Sequence, residues 1–271
     1  MEAVINKGKQ NVLGVLVDAV DYEYAVSAIV DSAKRRQPMG ISALAVHGVM
    51  TGVTDDIHRH RLNQLELVTP DGQPVRWLLN MLYGTGLKDR VYGPKLTLKV
   101  IEAAAENSLP IYLYGSSEGV IALLRTKLVE RFPKLVIAGA EPSRFRQLTV
   151  AEKAELVSRV KSSGAQIAFV GLGCPRQEVF AYEYRKELSM PVLAVGAAFD
   201  YHAGTLAEPP ELLQRLGLQW LYRLLQEPRR LAKRYLVLNT HFSVLAIAQL
   251  LHLWSPNPRT TSPPPHELLF G

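Results

Sequence analysis

The sequence predicts an α/β fold, a Rossmann-like, mainly parallel sheet flanked by helices with a C-terminal helical appendage. Three observations lead there. Short apolar runs alternate with amphipathic stretches along most of the chain, the pattern of strands covered by helices. The run ending at Tyr114 leads into Gly115, Ser116 and Ser117, so a turn and a helix cap are written directly after a strand, and the stretch from Val170 to Gly173 repeats the device. Past about Ala207 the strand-like runs stop and Arg, Leu and aromatic residues dominate.

In chain order, apolar runs place strands at 12–17, 42–46, 65–68, 110–114, 135–138, 166–171 and 192–195. Amphipathic spacing places helices at 22–35, 55–63, 74–83, 95–106, 117–131, 150–162 and 176–187. This divides the chain into a Rossmann-like catalytic domain over 1–207, a basic helical appendage over 208–254 that breaks near Pro228, and a Pro-rich tail over 255–271 expected to be disordered.

The 271 residues, 48% of them hydrophobic, suffice for a sizeable core. The single cysteine, Cys174, cannot form an internal disulfide, and the segment after Met1 lacks the apolar stretch and cleavage site of a secretory signal, so the expectation is a cytoplasmic protein. No apolar run reaches the roughly 20 residues of a spanning helix, because Asn239, His241, Gln249 and His252 interrupt the longest candidate. A net charge of +6 favours anionic partners without choosing among nucleotide diphosphates, acidic lipids and nucleic acid. Nucleic acid is disfavoured by the grouping of basic residues with leucines rather than with exposed aromatic residues along a groove.

Ligands of open parallel sheets bind beyond the carboxyl ends of the strands, where loops and helix N-termini converge. That rule selects His47, Asp71, Gly115 and the loop Gly171-Leu172-Gly173-Cys174-Pro175. Asp71 offers a carboxylate that can accept a proton, and its position equally suits an Asp-Gly turn or a helix cap. The glycines of the Gly171–Pro175 loop let backbone N–H groups approach an anion. There is no third glycine for a dinucleotide fingerprint, no Walker loop, no Cys/His cluster and no Asp-X-Asp element, so neither a cofactor nor a metal is expected. Arg223, Arg229, Arg230, Lys233 and Arg234 stand beside leucines, a pattern that serves a solvated face, diphosphate binding or an anionic membrane surface.

Taken in order, these segments resemble the WecG/TagA/CpsF glycosyltransferases. The resemblance rests on His47-Gly48-Val49-Met50, Thr69-Pro70-Asp71-Gly72-Gln73-Pro74, Arg90-Val91-Tyr92-Gly93-Pro94, Tyr114-Gly115, the run from Gly171 to Glu178, the run from Val195 to Asp200 with Ala203-Gly204, and the run from Gly217 to Pro228 with Arg234-Tyr235. It implies an inverting, metal-independent enzyme that moves an N-acetylmannosamine-type or related sugar from a UDP-sugar donor to a lipid-diphosphate-linked acceptor in surface polysaccharide biosynthesis. It implies that Asp71 is the base, that Gln177 belongs to the donor pocket, and that Arg223, Arg230 and Arg234 of an appendage touching the inner face of the cell membrane complete the site. His47, Arg90, Gly115 and Gly173 are the remaining expected substrate contacts. Ala45-Val46-His47, Lys95 and Glu208-Pro209-Pro210 depart from frequent family residues and bear on the identity of the donor. Homo-oligomerisation stays open, and the competing reading is a non-catalytic nucleotide- or anion-binding α/β protein.

Overall fold

The computed structural model describes residues 4–226 and 228–271, the side chains of 229–235 excepted. Strands β1 (Asn6–Val12) and β2 (Val15–Val20) form an antiparallel hairpin, followed by α1 (Tyr22–Lys34). Then come β3 (Met39–Leu44), α2 (Val46–Thr54), α3 (Asp56–Asn63), β4 (Leu67–Pro70), α4 (Gln73–Tyr83) and α5 (Gly93–Glu106). The second half adds β5 (Ile111–Gly115), α6 (Glu118–Arg131), β6 (Ile137–Glu141), α7 (Val150–Ser162), β7 (Ile167–Gly171), α8 (Arg176–Leu188), β8 (Pro191–Ala194) and α9 (Ala198–Ala203). Helices α10 (Glu211–Arg215), α11 (Gln219–Gln226) and α12 (Pro228–Leu250) end the regular structure.

Strands β3 to β8 make a six-stranded sheet in the order β4-β3-β8-β7-β5-β6, with every pairing parallel. Because successive strand side chains point to opposite faces, the apolar runs feed two cores. Ile111, Leu113, Ile167 and Phe169 enter one cluster, while Tyr112, Tyr114, Ala168 and Val170 enter the other. At the carboxyl edge all six strands deliver their loops to one side, which positions the site.

Three sequence expectations are corrected. The run expected as one strand at 12–17 contains the hairpin turn: Val12 ends β1, Leu13 at φ 54° and Gly14 at φ 91° turn the chain, and Val15 begins β2, a geometry that suits the twist of a two-residue hairpin. The strand expected at 42–46 ends at Leu44, and α2 begins at Val46 despite its β-branched residues. Gly48 permits this, since a Cβ there would stand 2.4 Å from Leu44 Cδ1.

The third correction concerns 255–271. Without helix, and paired only through a single bridge between Phe270 and Gln147, this segment lies as a strap on the body, held by backbone bonds at its end and by side chains along its length. Asn11 Nδ2 donates to Pro256 O at 2.8 Å and Asn63 Nδ2 to Pro258 O at 2.9 Å. Glu183 accepts from the N–H groups of Leu268 and Leu269 at 2.8 and 3.0 Å. Proline richness forbids regular structure but leaves mainly carbonyls to satisfy, and the body supplies their donors. The strap follows α12, whose Phe242 and Ala246 are buried in the core. Gln249 there accepts from Leu13 N–H and donates to Asn11 O, each at 3.0 Å, tying α12 to the N-terminal hairpin.

Candidate active site

A cleft of about 810 Å³ opens at the carboxyl ends of β4, β3, β8 and β7, roofed by α11 and α12. Of the residues expected from the sequence, His47, Asp71, Arg90, Gly173, Gln177 and Arg223 all line it. Gly115 does not. It stands at φ 118° at the end of β5, where a Cβ would lie 2.7 Å from the Gly171 carbonyl, so its glycine serves the approach of β5 to β7. The side chains of Arg230 and Arg234 lie outside the described residues.

Asp71 follows β4 directly, and its N–H donates to Leu44 O at 3.2 Å, which pins its backbone to the end of β3. Its side chain is 17% exposed and faces the cleft. Burial pushes the carboxyl up to about 6, opposed by the Arg90 guanidinium, the Gly93 N–H and Arg223. The native state therefore holds this proton more tightly than the unfolded chain does. Stability from this group is complete below about 4 and is lost as the pH rises through about 6. At neutral pH the group is mostly ionised but only weakly held so, the condition of a competent general base.

Arg90 stands 4.0 Å from Asp71. Its Nη1 donates to Gln219 Oε1 at 2.7 Å, its Nη2 to Gln214 Oε1 at 3.1 Å, and its guanidinium lies 4.2 Å from the Tyr92 ring centroid. Gln219 in turn donates to the Tyr92 hydroxyl at 2.6 Å. One buried cation thus latches α10 and α11 onto the segment before α5, beside Asp71. Arg223, from α11, brings a second guanidinium to the cleft, and its Nε is buried without a hydrogen-bond partner among the described residues.

Gln177 sits in the first turn of α8, which begins after the cis peptide Cys174–Pro175. Its Oε1 accepts from Gly173 N–H at 3.1 Å and its Nε2 donates to Glu178 Oε1 at 2.9 Å, so both ends of the amide close the loop. Glu178 is 1% exposed, and burial holds its carboxyl above the usual range. His47 occupies the first turn of α2 at the rim.

Sequence reasoning missed Gln73, Tyr92, Tyr201 and Gln219, all of which line the cleft. Gln73 could have been found from its place at the head of the helix after Asp71, and Tyr201 from its place after the Val195–Asp200 run. Gln219 lies inside the Gly217–Pro228 run without a role being assigned to it, and it reaches the cleft because α11 folds back over the sheet.

The chain can be compared with known proteins on this footing. The profile of the Glycosyl transferase WecG/TagA/CpsF family matches residues 10–256. An N-acetylglucosaminyldiphosphoundecaprenol N-acetyl-beta-D-mannosaminyltransferase from Bacillus spizizenii is 29% identical over 170 residues, covering 62% of this chain and 64% of that protein. The alignment therefore spans less than two thirds of that relative's length. The family match covers the sheet, the cleft and the helices that roof it, and on that extent the chain belongs to the WecG/TagA/CpsF family of glycosyl transferases.

Proposed function

We propose that the protein is an inverting, metal-independent glycosyltransferase that moves a sugar from a UDP-sugar to a saccharide carried on a polyprenyl diphosphate, in cell-surface or exopolysaccharide biosynthesis. The observation that carries the reading is Asp71, a carboxylate with its pKa raised to about 6 that faces the cleft beside two arginines. In this reading Asp71 takes the proton of the acceptor hydroxyl. The oxygen forms its bond to the anomeric carbon on the face opposite the nucleotide, while the bond from that carbon to the diphosphate oxygen breaks and the electron pair leaves with UDP. Arg223 meets the negative charge that develops on the diphosphate. Arg230 and Arg234 join it as proposed contacts.

The protein acts, in the same reading, as a peripheral protein on the inner face of the membrane, where a lipid-linked acceptor presents its sugar. No helix among the described residues is long and apolar enough to cross a membrane. Helices α11 and α12 expose Leu225, Leu236 and Ile247, which together with the basic residues after Pro228 would suit an anionic surface.

The test is a transfer assay with a panel of UDP-sugars, a polyprenyl-diphosphate-linked N-acetylglucosamine acceptor and excess chelator. The reading expects transfer from at least one donor, an inverted anomeric centre and undiminished turnover with chelator. A retained configuration, abolition by chelator, or no transfer with any donor would contradict it.

A further inference from the structure

Buried polar side-chain atoms almost always find a partner, and one left alone costs about 1–3 kcal/mol. In this protein Gln73 Oε1, Glu178 Oε2, Tyr201 Oη and Arg223 Nε are each buried with no hydrogen-bond partner among the described residues, and all four residues line the same cleft. They are four of the nine such atoms among the described residues, and they differ from the other five in belonging to residues that line a cleft, where a ligand could supply the missing partner. Arg223 has a role in the proposed reaction, and Glu178 is engaged through its other oxygen by Gln177. Gln73 has neither explanation, and the phenol of Tyr201 has only the Tyr92 hydroxyl beside it, which leaves it capacity for a second partner.

Their chemistry narrows what they take. Gln73, at the first position of α4, is 5% exposed, and its orphan atom is an amide oxygen, which accepts a hydrogen bond and therefore cannot serve a phosphate. Tyr201, on α9, is 9% exposed and offers a phenol that can donate and accept. An O–H group of a substrate satisfies both kinds of atom. Gln73 follows β4 and Tyr201 follows β8, with only β3 between those strands, and Asp71 lines the same cleft. They are nearly inaccessible, so they suit the ligand that enters deepest, whereas a lipid-borne acceptor stays near the apolar rim of α12.

We propose that Gln73 and Tyr201 are substrate-contacting residues that read hydroxyl groups on the sugar of the nucleotide-sugar donor. The proposal rests on the glycosyl-transfer reading. It predicts a pattern that a structural role would not give: removing an orphan polar atom does not weaken the empty protein, but it weakens the sugar-dependent part of donor binding.

The experiment compares wild type, Tyr201→Phe and Gln73→Met by thermal unfolding, alone, with UDP, and with UDP-N-acetylglucosamine and UDP-N-acetylmannosamine. Bound ligand raises the melting temperature by mass action. The expected result is a ligand-free melting temperature equal to or above that of wild type, an unchanged shift with UDP, and loss of the additional shift given by the sugar, matched by donor binding weakened about tenfold or more. A fall in the ligand-free melting temperature for both variants would show that the groups are structural and overturn the proposal. Equal weakening with UDP and with the UDP-sugars would place the contact on the nucleotide and overturn it as well. Undiminished sugar-dependent shifts in both variants would overturn it while leaving the glycosyl-transfer reading intact. If wild type responds to none of the nucleotides, that reading fails and this one fails with it.

Discussion

Replacing Arg90 by Met tests how the C-terminal helices are coupled to the reacting carboxylate. The guanidinium is 5% exposed and makes charged hydrogen bonds to Gln214 and Gln219 at 3.1 and 2.7 Å, besides stacking on Tyr92. Hydrogen bonds to charged groups are worth roughly 1.5–3 kcal/mol each, and methionine recovers part of the packing, so a loss on the order of 3 kcal/mol is expected. For a chain of this size that corresponds to a melting temperature lower by very roughly 5–10 °C. A second effect should appear in kinetics. Arg90 is the foremost influence holding Asp71 down against burial, so its removal raises that carboxyl above about 6 and moves the acidic limb of kcat/KM to higher pH. Arg90→Lys separates the two effects: the charge remains, so the limb returns toward its place, while the fork between two glutamines is lost and stability is not restored. Denaturant unfolding and a pH–rate profile read the two quantities. Wild-type stability together with an unmoved limb in Arg90→Met would refute the latch.

Gly115→Ala forces a Cβ to within 2.7 Å of the Gly171 carbonyl at a backbone φ of 118°, so equilibrium unfolding should show a loss of at least about 2 kcal/mol while donor KM stays near wild type. A selective rise in KM without destabilisation would return Gly115 to the binding site. Deleting 256–271 removes the partners of Asn63 and Glu183 and should cost on the order of 2 kcal/mol, with faster hydrogen exchange around Gln249; unaltered exchange would show that the strap does not steady α12. The protein should sediment with anionic and not with neutral liposomes, and less so at high salt. Equal binding to neutral vesicles would contradict the electrostatic part of the membrane reading.

The sheet was legible because buried parallel strands are apolar on both faces, and runs such as Ile111–Gly115 and Ile167–Gly171 have no other economical reading. Asp71 was legible for a topological reason, since a carboxylate directly after a parallel strand must stand at the ligand edge. The hairpin at Leu13-Gly14 was not, because an unbroken apolar run conceals a turn made by only two residues. Helix α2 was hidden by Val and Thr, whose local preference for strand is overridden by packing against Leu44. The strap was misread because composition reports what a segment cannot do alone, while its order comes from Asn11, Asn63 and Glu183, far away in sequence. Tyr201 was within reach of the Val195–Asp200 run that precedes it, whereas Gln219 reaches the cleft only through tertiary folding of α11 over the sheet.

The proposed chemistry depends above all on Asp71 acting in its ionised form. Turnover of Asp71→Asn on a verified donor and acceptor, measured near pH 8 where the wild-type carboxyl is charged, tests this most directly. The expected result is a folded protein, no less stable than wild type because a buried charge has been removed, whose rate is lower by about 10²–10⁴-fold. A rate equal to that of wild type would mean that some other group takes the proton.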